Sequence, residues 1–287
     1  MADRFEGVTG VRAAVRALPG RGLVRASGAD RVRFLNGMLT ADVAKLAAGE
    51  TAPALQLDRK GHVQAELVLL ADPDVVWLDV APGCESELVR TLEKHVIADD
   101  VAFASLSGDV VALAVEGPGA ADAVRAAGGA VPAAGRFERS ELAGAAVLWL
   151  SEGAQLAEPI AEVLRIDAAI PALGRDVSVR NFPQEARLER AVSFKKGCYV
   201  GQEIVARIAS RGAVNRVLVK LRTEARVEPG SEVSLDGAAI GQVTSAAESA
   251  ATGAIALAYL KVEHAAPGQR VVVSGVAGEV AGGDTRR

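Results

Sequence analysis

Ser193-Phe194-Lys195-Lys196-Gly197-Cys198-Tyr199-Val200-Gly201-Gln202-Glu203 is the stretch from which the rest of the chain is read. Cys198 is one of two cysteines; it stands behind two lysines, between two glycines, and just ahead of Ile204, Val205 and Ile208, which fall on one face at helical spacing. A thiol beside cations and a helix N-terminus is favoured as thiolate, because positive charge and unpaired backbone N–H groups stabilise the anion. The spacing therefore predicts a pKa below the free-thiol value of about 8.5. A packed cysteine in a Phe-Cys-Tyr-Val strand is the bland alternative, since free cysteines are usually buried. The Lys-Lys-Gly entry and the Gly-Gln-Glu exit point instead to function.

The chain has 287 residues, long enough for two or three domains. Half of it is hydrophobic and 24% charged, the composition of a soluble globular protein. No apolar run reaches membrane-spanning length, and Met1-Ala2-Asp3-Arg4-Phe5-Glu6 lacks the layout of a signal peptide, so a cytoplasmic location and no membrane partner are expected. Cys84 and Cys198 are far apart, and His62, His95 and His264 are scattered, which predicts no disulfide framework and no self-contained metal site. A net charge of −4 offers no global reason to expect DNA or other nucleic acid.

Outward toward the N-terminus, Leu23–Ala26 reads as a strand and Ser27-Gly28-Ala29-Asp30 as a capping-box variant opening a helix with Val32, Leu35 and Leu39 inward. Thr40–Val43 repeats the start signal for a second short helix. Strands are predicted over Ala54–Leu57, His62–Leu70 and Val75–Val80, then a helix over Glu85–His95, then Val101–Leu106 and Val110–Glu116 as paired strands. Leu23–Leu35 and Leu113–Arg125 share the order strand, glycine turn, alanine-rich helix, which implies two similar α+β units. Gly117-x-Gly119 is too partial for a dinucleotide fingerprint, because Asp122 holds the third glycine position. Arg136–Leu142 and Ala145–Leu150 add two strands. Pro159 starts a helix toward Ile170 on which Asp167 shares a face with Ile160, Val163 and Leu164. An acid on an apolar stripe needs a partner, either another chain segment or a ligand.

From Asn215 onward, short strands alternate with Pro229-Gly230, Asp236-Gly237, Thr252-Gly253 and Pro267-Gly268, which predicts a small β-barrel or sandwich. Residues 1–212 and 213–287 are the expected domains, the second ending in a disordered tail from Gly282. Between Lys195 and Arg222 seven basic residues face a single acid, Glu203. Glu203, Arg207 and Arg211 at four-residue spacing suit an exposed ion-pair ladder; the surplus, with Arg216 and Arg222, suits an anion site.

The run Lys195–Glu203 resembles the signature of the YgfZ-type folate-binding proteins, relatives of the glycine-cleavage aminomethyltransferases. Leu23–Leu46, Leu57–Leu70, Arg165–Asp176 and Phe182–Leu221 are similar to further blocks of that family. The resemblance implies an α+β fold of two interleaved ferredoxin-like units plus a C-terminal small β-barrel around a folate channel. Arg165-Ile166-Asp167-Ala168-Ala169-Ile170-Pro171 resembles the block whose acid binds the pterin in the aminomethyltransferases, and a carboxylate suits that two-donor edge. Where those enzymes carry adjacent aspartates, this chain has Ala65 and Glu66. The implied function is a tetrahydrofolate-binding accessory protein that supports assembly or repair of iron–sulfur clusters in client enzymes, including tRNA-modifying ones. The alternative is a folate-dependent aminomethyl transferase using Glu66. An unrelated thiol enzyme ranks third, since no histidine lies near Cys198 in sequence. The candidate reactive set is Cys198 with Lys195, Lys196 and Glu203. The candidate cofactor-binding set is Asp167, Arg165, Arg207, Arg216, Glu66 and Tyr199, with no metal ligand. Folate and iron–sulfur client or assembly proteins are the implied partners.

Overall fold

In the computed structural model, residues 2–110, 112–126, 156–212 and 214–281 are described. The strands expected at 136–142 and 145–150 and the tail from Gly282 lie outside them. The first unit is a five-stranded antiparallel sheet in the order β3-β4-β5-β2-β6, built from β2 (Gly22–Ser27), β3 (Thr51–Leu57), β4 (Val63–Ala71), β5 (Val76–Val80) and β6 (Ala102–Ser105). Helices α2 (Arg31–Met38) and α3 (Glu85–Lys94) cover one face of it. Their inward residues Leu35, Leu88 and Leu92 have no exposed surface; burial of each stabilises by about 2 kcal/mol.

The two expected paired strands after α3 do not pair with each other. β6 joins the free edge of β2, and β7 (Leu113–Glu116) pairs with β1 (Ala14–Ala17) near the N-terminus. Neither β1 nor the preceding α1 (Ala2–Thr9) is predicted from the sequence. Because β1 precedes the first sheet and β7 follows it, the second unit starts before the first is built, and the two interleave. The internal echo holds: β2 passes into α2, and β7 into α4 (Ala120–Ala126), each through a glycine of positive φ, 103° at Gly28 and 112° at Gly117. A side chain at Gly28 would collide with the Asp100 carbonyl, and one at Gly117 with Phe5 and the Arg12 carbonyl.

Two local expectations are corrected. Asp30 is the N-cap of α2, but neither it nor Ser27 makes a side-chain cap; the Asp30 carboxylate accepts the Asp100 N–H at 2.9 Å while that of Asp100 accepts the Ala29 N–H at 2.9 Å. This reciprocal pair, tying the turn to the start of β6, replaces the capping box. The second short helix is only a 3-10 turn over Val43–Lys45, because the Thr40 hydroxyl and N–H are engaged by Ala191 and Leu55 across the fold.

Helix α5 (Glu158–Asp167) lies on the C-terminal barrel, Val163 and Ile166 packing with Leu218, Ile255, Leu257 and Tyr259. The barrel is closed, in the order β10-β11-β8-β13-β12-β9. Its strands are β8 (Arg216–Thr223), β9 (Glu232–Leu235), β10 (Ala238–Ser249), β11 (Gly253–Lys261), β12 (Arg270–Val273) and β13 (Val276–Val280). β13 goes unread in the sequence, and it is the strand that closes the barrel by pairing with both β12 and β8. Closure removes every free edge. Among the described residues no helix is long and apolar enough to cross a membrane.

Candidate functional site

The Ser193–Gly201 loop lies against the C-terminal end of α2 and the β3–β4 turn, and the sequence explains each attachment. Gly201 caps helix α6 (Gln202–Arg211) with φ 82°, and a Cβ there would stand 2.5 Å from the Asp58 carbonyl oxygen. Only glycine lets the loop close on that turn. The turn is itself fixed by the Asp58 carboxylate, which accepts N–H bonds from Lys60 at 2.8 Å and His62 at 2.9 Å. Ser193 N–H donates to the Thr40 carbonyl at 2.9 Å and Val200 N–H to that of Gly37 at 3.2 Å.

Lys196 completes the attachment. Its ammonium donates to the carbonyls of Asn36, Leu39 and Ala41 at 2.5, 2.6 and 2.6 Å. These oxygens sit at or just past the end of α2, where helix carbonyls lack intrahelical partners and carry partial negative charge. Burial pushes Lys196 down to about 8, with Asp42 opposing the shift. Lys196 also lies 5.0 Å from the ring centre of Tyr199. Tyr199 is buried among Leu55, Leu57, Val63 and Val205, and its hydroxyl has no hydrogen-bond partner among the described residues. Burial pushes that hydroxyl up to about 12.

With Lys196 and Tyr199 directed inward, Phe194, Lys195, Gly197 and Cys198 are exposed at the loop's tip. Glu203 is exposed and paired with Arg207 at 2.8 Å, and Arg211 is exposed on the same helix. At such exposure that pair contributes less than about 1 kcal/mol. Cys84 contrasts with Cys198: it is half-buried against the first core, and burial together with the Glu66 carboxylate pushes its thiol up.

The predicted cofactor residues fall in other places. Arg165 donates from Nε to Glu162, from one terminal nitrogen to Ile170 O and Asp176, and from the other to Glu162 and Ser245, at 2.6 to 2.9 Å. All five guanidinium N–H groups are thus engaged within the chain. The Asp176 side chain has no exposed surface and also accepts from the Thr244 and Ser245 hydroxyls of β10. Asp167, at the end of α5, meets Lys220 of β8, whose Nζ donates to the Asp167 carbonyl at 2.6 Å and its carboxylate at 3.2 Å. Arg216 pairs with buried Glu185 at 3.3 Å and stacks 5.0 Å above the Tyr259 ring. Glu66 is half-buried on β4 opposite Leu55. The structure therefore gathers Cys198, Lys195, Lys196 and Tyr199 in one loop, and Arg165 and Asp167 at the α5–barrel seam. Arg207 and Arg211 lie on α6, and Arg216 and Arg222 on β8. Thr40, Asp176 and Lys220 escape the sequence reading as site residues, although each lies in or beside a block singled out there.

A cleft of ≈ 250 Å³ opens beside the loop, lined among others by Met38, Gln56, Gln64, His95 and Val200. Asp167 is not among its lining residues. Among the described residues no group of three or more His, Cys, Asp or Glu side chains is placed to hold a metal ion.

Comparison with known proteins agrees with this architecture. Residues 19–148 match the family model of the GCVT N-terminal domain, and residues 216–281 that of the glycine cleavage T-protein C-terminal barrel domain. The tRNA-modifying protein YgfZ of Klebsiella pneumoniae is 30% identical over 242 residues, covering 74% of this chain and 73% of that protein. An aminomethyltransferase of Saccharopolyspora erythraea is 28% identical over 317 residues, covering 94% and 86%. The crystal structure of the glycine cleavage system aminomethyltransferase T from Bartonella henselae superposes with a TM-score of 0.86 at 21% identity, covering 98% of this chain and 88% of that one. The α+β region with its closed barrel is therefore the T-protein fold, and the chain belongs to the YgfZ/GcvT superfamily.

Proposed function

We propose that this protein is a folate-binding accessory factor of the YgfZ type, which supports assembly or repair of iron–sulfur clusters in client enzymes through Cys198. One observation carries the reading. Cys198 is exposed at the tip of a loop whose neighbours are anchored, Lys196 by three carbonyls and Tyr199 by burial. A thiol held this way is presented to a partner, whereas Cys84 is partly withdrawn into a core. A lone thiol makes only a shared or transient contact with a cluster, which suits a helper acting on client or assembly proteins. On this reading residues 1–212 carry the folate site, residues 213–287 form the barrel domain, and the protein works in the cytoplasm.

Tetrahydrofolate or a derivative is the proposed cofactor, with Asp167 accepting the pterin's two-donor edge. Lys220 orients that carboxylate from the barrel side, and Arg165, its donors all engaged, holds the segment after Asp167 in place through Ile170 and Asp176. The resemblance to aminomethyltransferases keeps a C1 transferase with Glu66 as its acid as the rival, set against the presence of Ala65 at the first of the two aspartate positions.

The deciding experiment replaces Cys198 by Ser in cells that depend on this protein, with client iron–sulfur enzyme activities as readout and Cys84→Ser as control. Loss confined to Cys198→Ser is expected. Full client activity in Cys198→Ser, or turnover of methylene-tetrahydrofolate with an amine donor by the purified protein, would remove the accessory reading.

A further inference from the structure

We infer that the face formed by the cysteine loop, the β3–β4 turn and the end of α3 docks an acidic protein segment carrying one large apolar side chain. The side chain enters the cleft, and the acids meet Arg59, Lys60 and Lys195. The inference rests on the accessory reading above and names the chemistry of the client or assembly protein that meets Cys198.

Adjacency comes first. Helix α3 and its C-cap residue present Glu87, Thr91 and His95 to the cleft at four-residue spacing, α2 contributes Met38, the turn contributes Asp58 and Arg59, and the cysteine loop contributes Val200. A Cβ on Gly201 would stand 2.5 Å from the Asp58 carbonyl oxygen, and one on Gly61 3.1 Å from Ile204, so the turn that carries Arg59 and Lys60 is pressed against the exit of the loop. Cys198 is two residues from Val200, and Ile97 is two residues from His95. Two residues of chain span at most about 7 Å. The thiol and Ile97 therefore both border the cleft.

Apolar surface is exposed on this face. Ile97 is 92% and Phe194 48% exposed, while Met38, Leu57 and Val200 line the cleft itself. Large apolar side chains left in water beside an apolar cleft have the composition of the core of a protein interface. A volume of ≈ 250 Å³ takes one anchoring side chain, not a folded surface.

Charge decides which segment fits. Carboxylates around the cleft and loop are already engaged: Asp58 by the turn N–H groups and His62, Glu87 by Arg90, Asp42 by Lys45, and Glu203 by Arg207. The side chains of Arg59, Lys60 and Lys195 are exposed and have no ion-pair partner among the described residues. Unneutralised cations around an apolar cleft complement Asp or Glu flanking a Leu, Met or Phe, and they steer such a segment toward the thiol. Nucleic acid fits this face less well. Phe194 is the one exposed aromatic ring among the described residues, and base stacking needs several.

The test is fluorescence anisotropy on the full chain with a labelled synthetic peptide of Asp and Glu residues around one Phe. It should bind, and binding should weaken several-fold from low to moderate salt. Exchanging the peptide's Phe for Ser should cost about tenfold or more. Arg59→Glu combined with Lys195→Glu should weaken binding about tenfold or more, whereas Arg270→Glu, at an exposed position of barrel strand β12, should leave it unchanged. Arg59 and Lys195 are exposed, so their reversal leaves the fold intact. Thr91→Trp, which fills the cleft from its half-exposed rim, should remove the preference for Phe over Ser. Binding should persist in Cys198→Ser, which separates this inference from the reading beneath it: full client activity in that variant with the peptide still held removes the accessory role and leaves a docking surface for an acidic segment. No peptide binding, equal binding of the Phe and Ser peptides, or indifference to Arg59→Glu with Lys195→Glu overturns the docking surface. Preference for a poly-uridine strand over the peptide, lost in the same double variant, assigns the face to nucleic acid and overturns it as well.

Discussion

Two inward-facing lysines, one in the cysteine loop and one on barrel strand β8, perform the same task with different partners. Lys196 draws the cysteine loop onto the end of α2 through three backbone carbonyls, and Lys220 draws the barrel onto the end of α5 through one carbonyl and the Asp167 carboxylate. Each cation caps a helix C-terminus from a distant segment, where the partial negative charge of unpaired carbonyls is concentrated. The difference lies in what remains if the cation is lost. At α2 carbonyl dipoles are left beside Asp42, which keeps Lys45 as its ion-pair partner, whereas at α5 a carboxylate with 12% of its side chain exposed loses the Lys220 ammonium.

The largest effect should therefore come from Lys220→Met. Removing one partner of a buried pair costs about 3 kcal/mol, read as a lower urea midpoint, and adding Asp167→Asn should recover part of it. If Lys220→Met is neutral, other contacts of Asp167 hold the seam and the contrast fails on that side.

Lys196→Met should cost less, about 1–2 kcal/mol, because it leaves carbonyls short of donors without stranding a charge. Its pH dependence has a defined sign. Burial lowers the folded value from 10.5 to about 8. Between those values the unfolded chain binds more protons than the folded one, so the stability of the parent relative to Lys196→Met should rise with pH across that window. Below pH 8 the full cost of burying the charge is present. A parent advantage that falls from pH 8 to pH 10.5 would show instead that the three carbonyls hold the ammonium more firmly than burial disfavours it.

The smallest effect is kinetic and local. Alkylation should label Cys198 faster than Cys84 at neutral pH, since one thiol is exposed and the other half-buried near Glu66. Lys196→Met should change the Cys198 rate by a few-fold while Lys220→Met leaves it alone, because only the first releases the loop. Equal responses to both substitutions would mean that the loop and the seam are coupled, and that the two lysines are parts of one device.

Much of this molecule is written in short-range patterns. The β2–Gly28–α2 and β7–Gly117–α4 echo, the α3 face of Leu88 and Leu92, and the strand-and-turn rhythm after Asn215 follow from periodicity and turn chemistry among residues a few positions apart. The cysteine loop between glycines, with helix α6 behind it, was legible in the same way. Partners at long separation were not. Pairing of β7 with β1 instead of β6, and closure of the barrel by β13, depend on which strand edge is open once the rest has packed. Lys196 is separated from its acceptors by 155 to 160 positions, so beside Cys198 it reads as a cation for the thiol, yet the fold directs it to the end of α2. Arg165 reads as a ligand contact until tertiary packing surrounds it with Glu162, Asp176 and Ser245 and engages every donor. Local sequence determines which elements form and where they turn, since those energies arise within about one helical turn. Which buried polar groups satisfy one another, and which, like the Tyr199 hydroxyl, are left without a partner among the described residues, is decided only when distant segments meet and water is excluded between them.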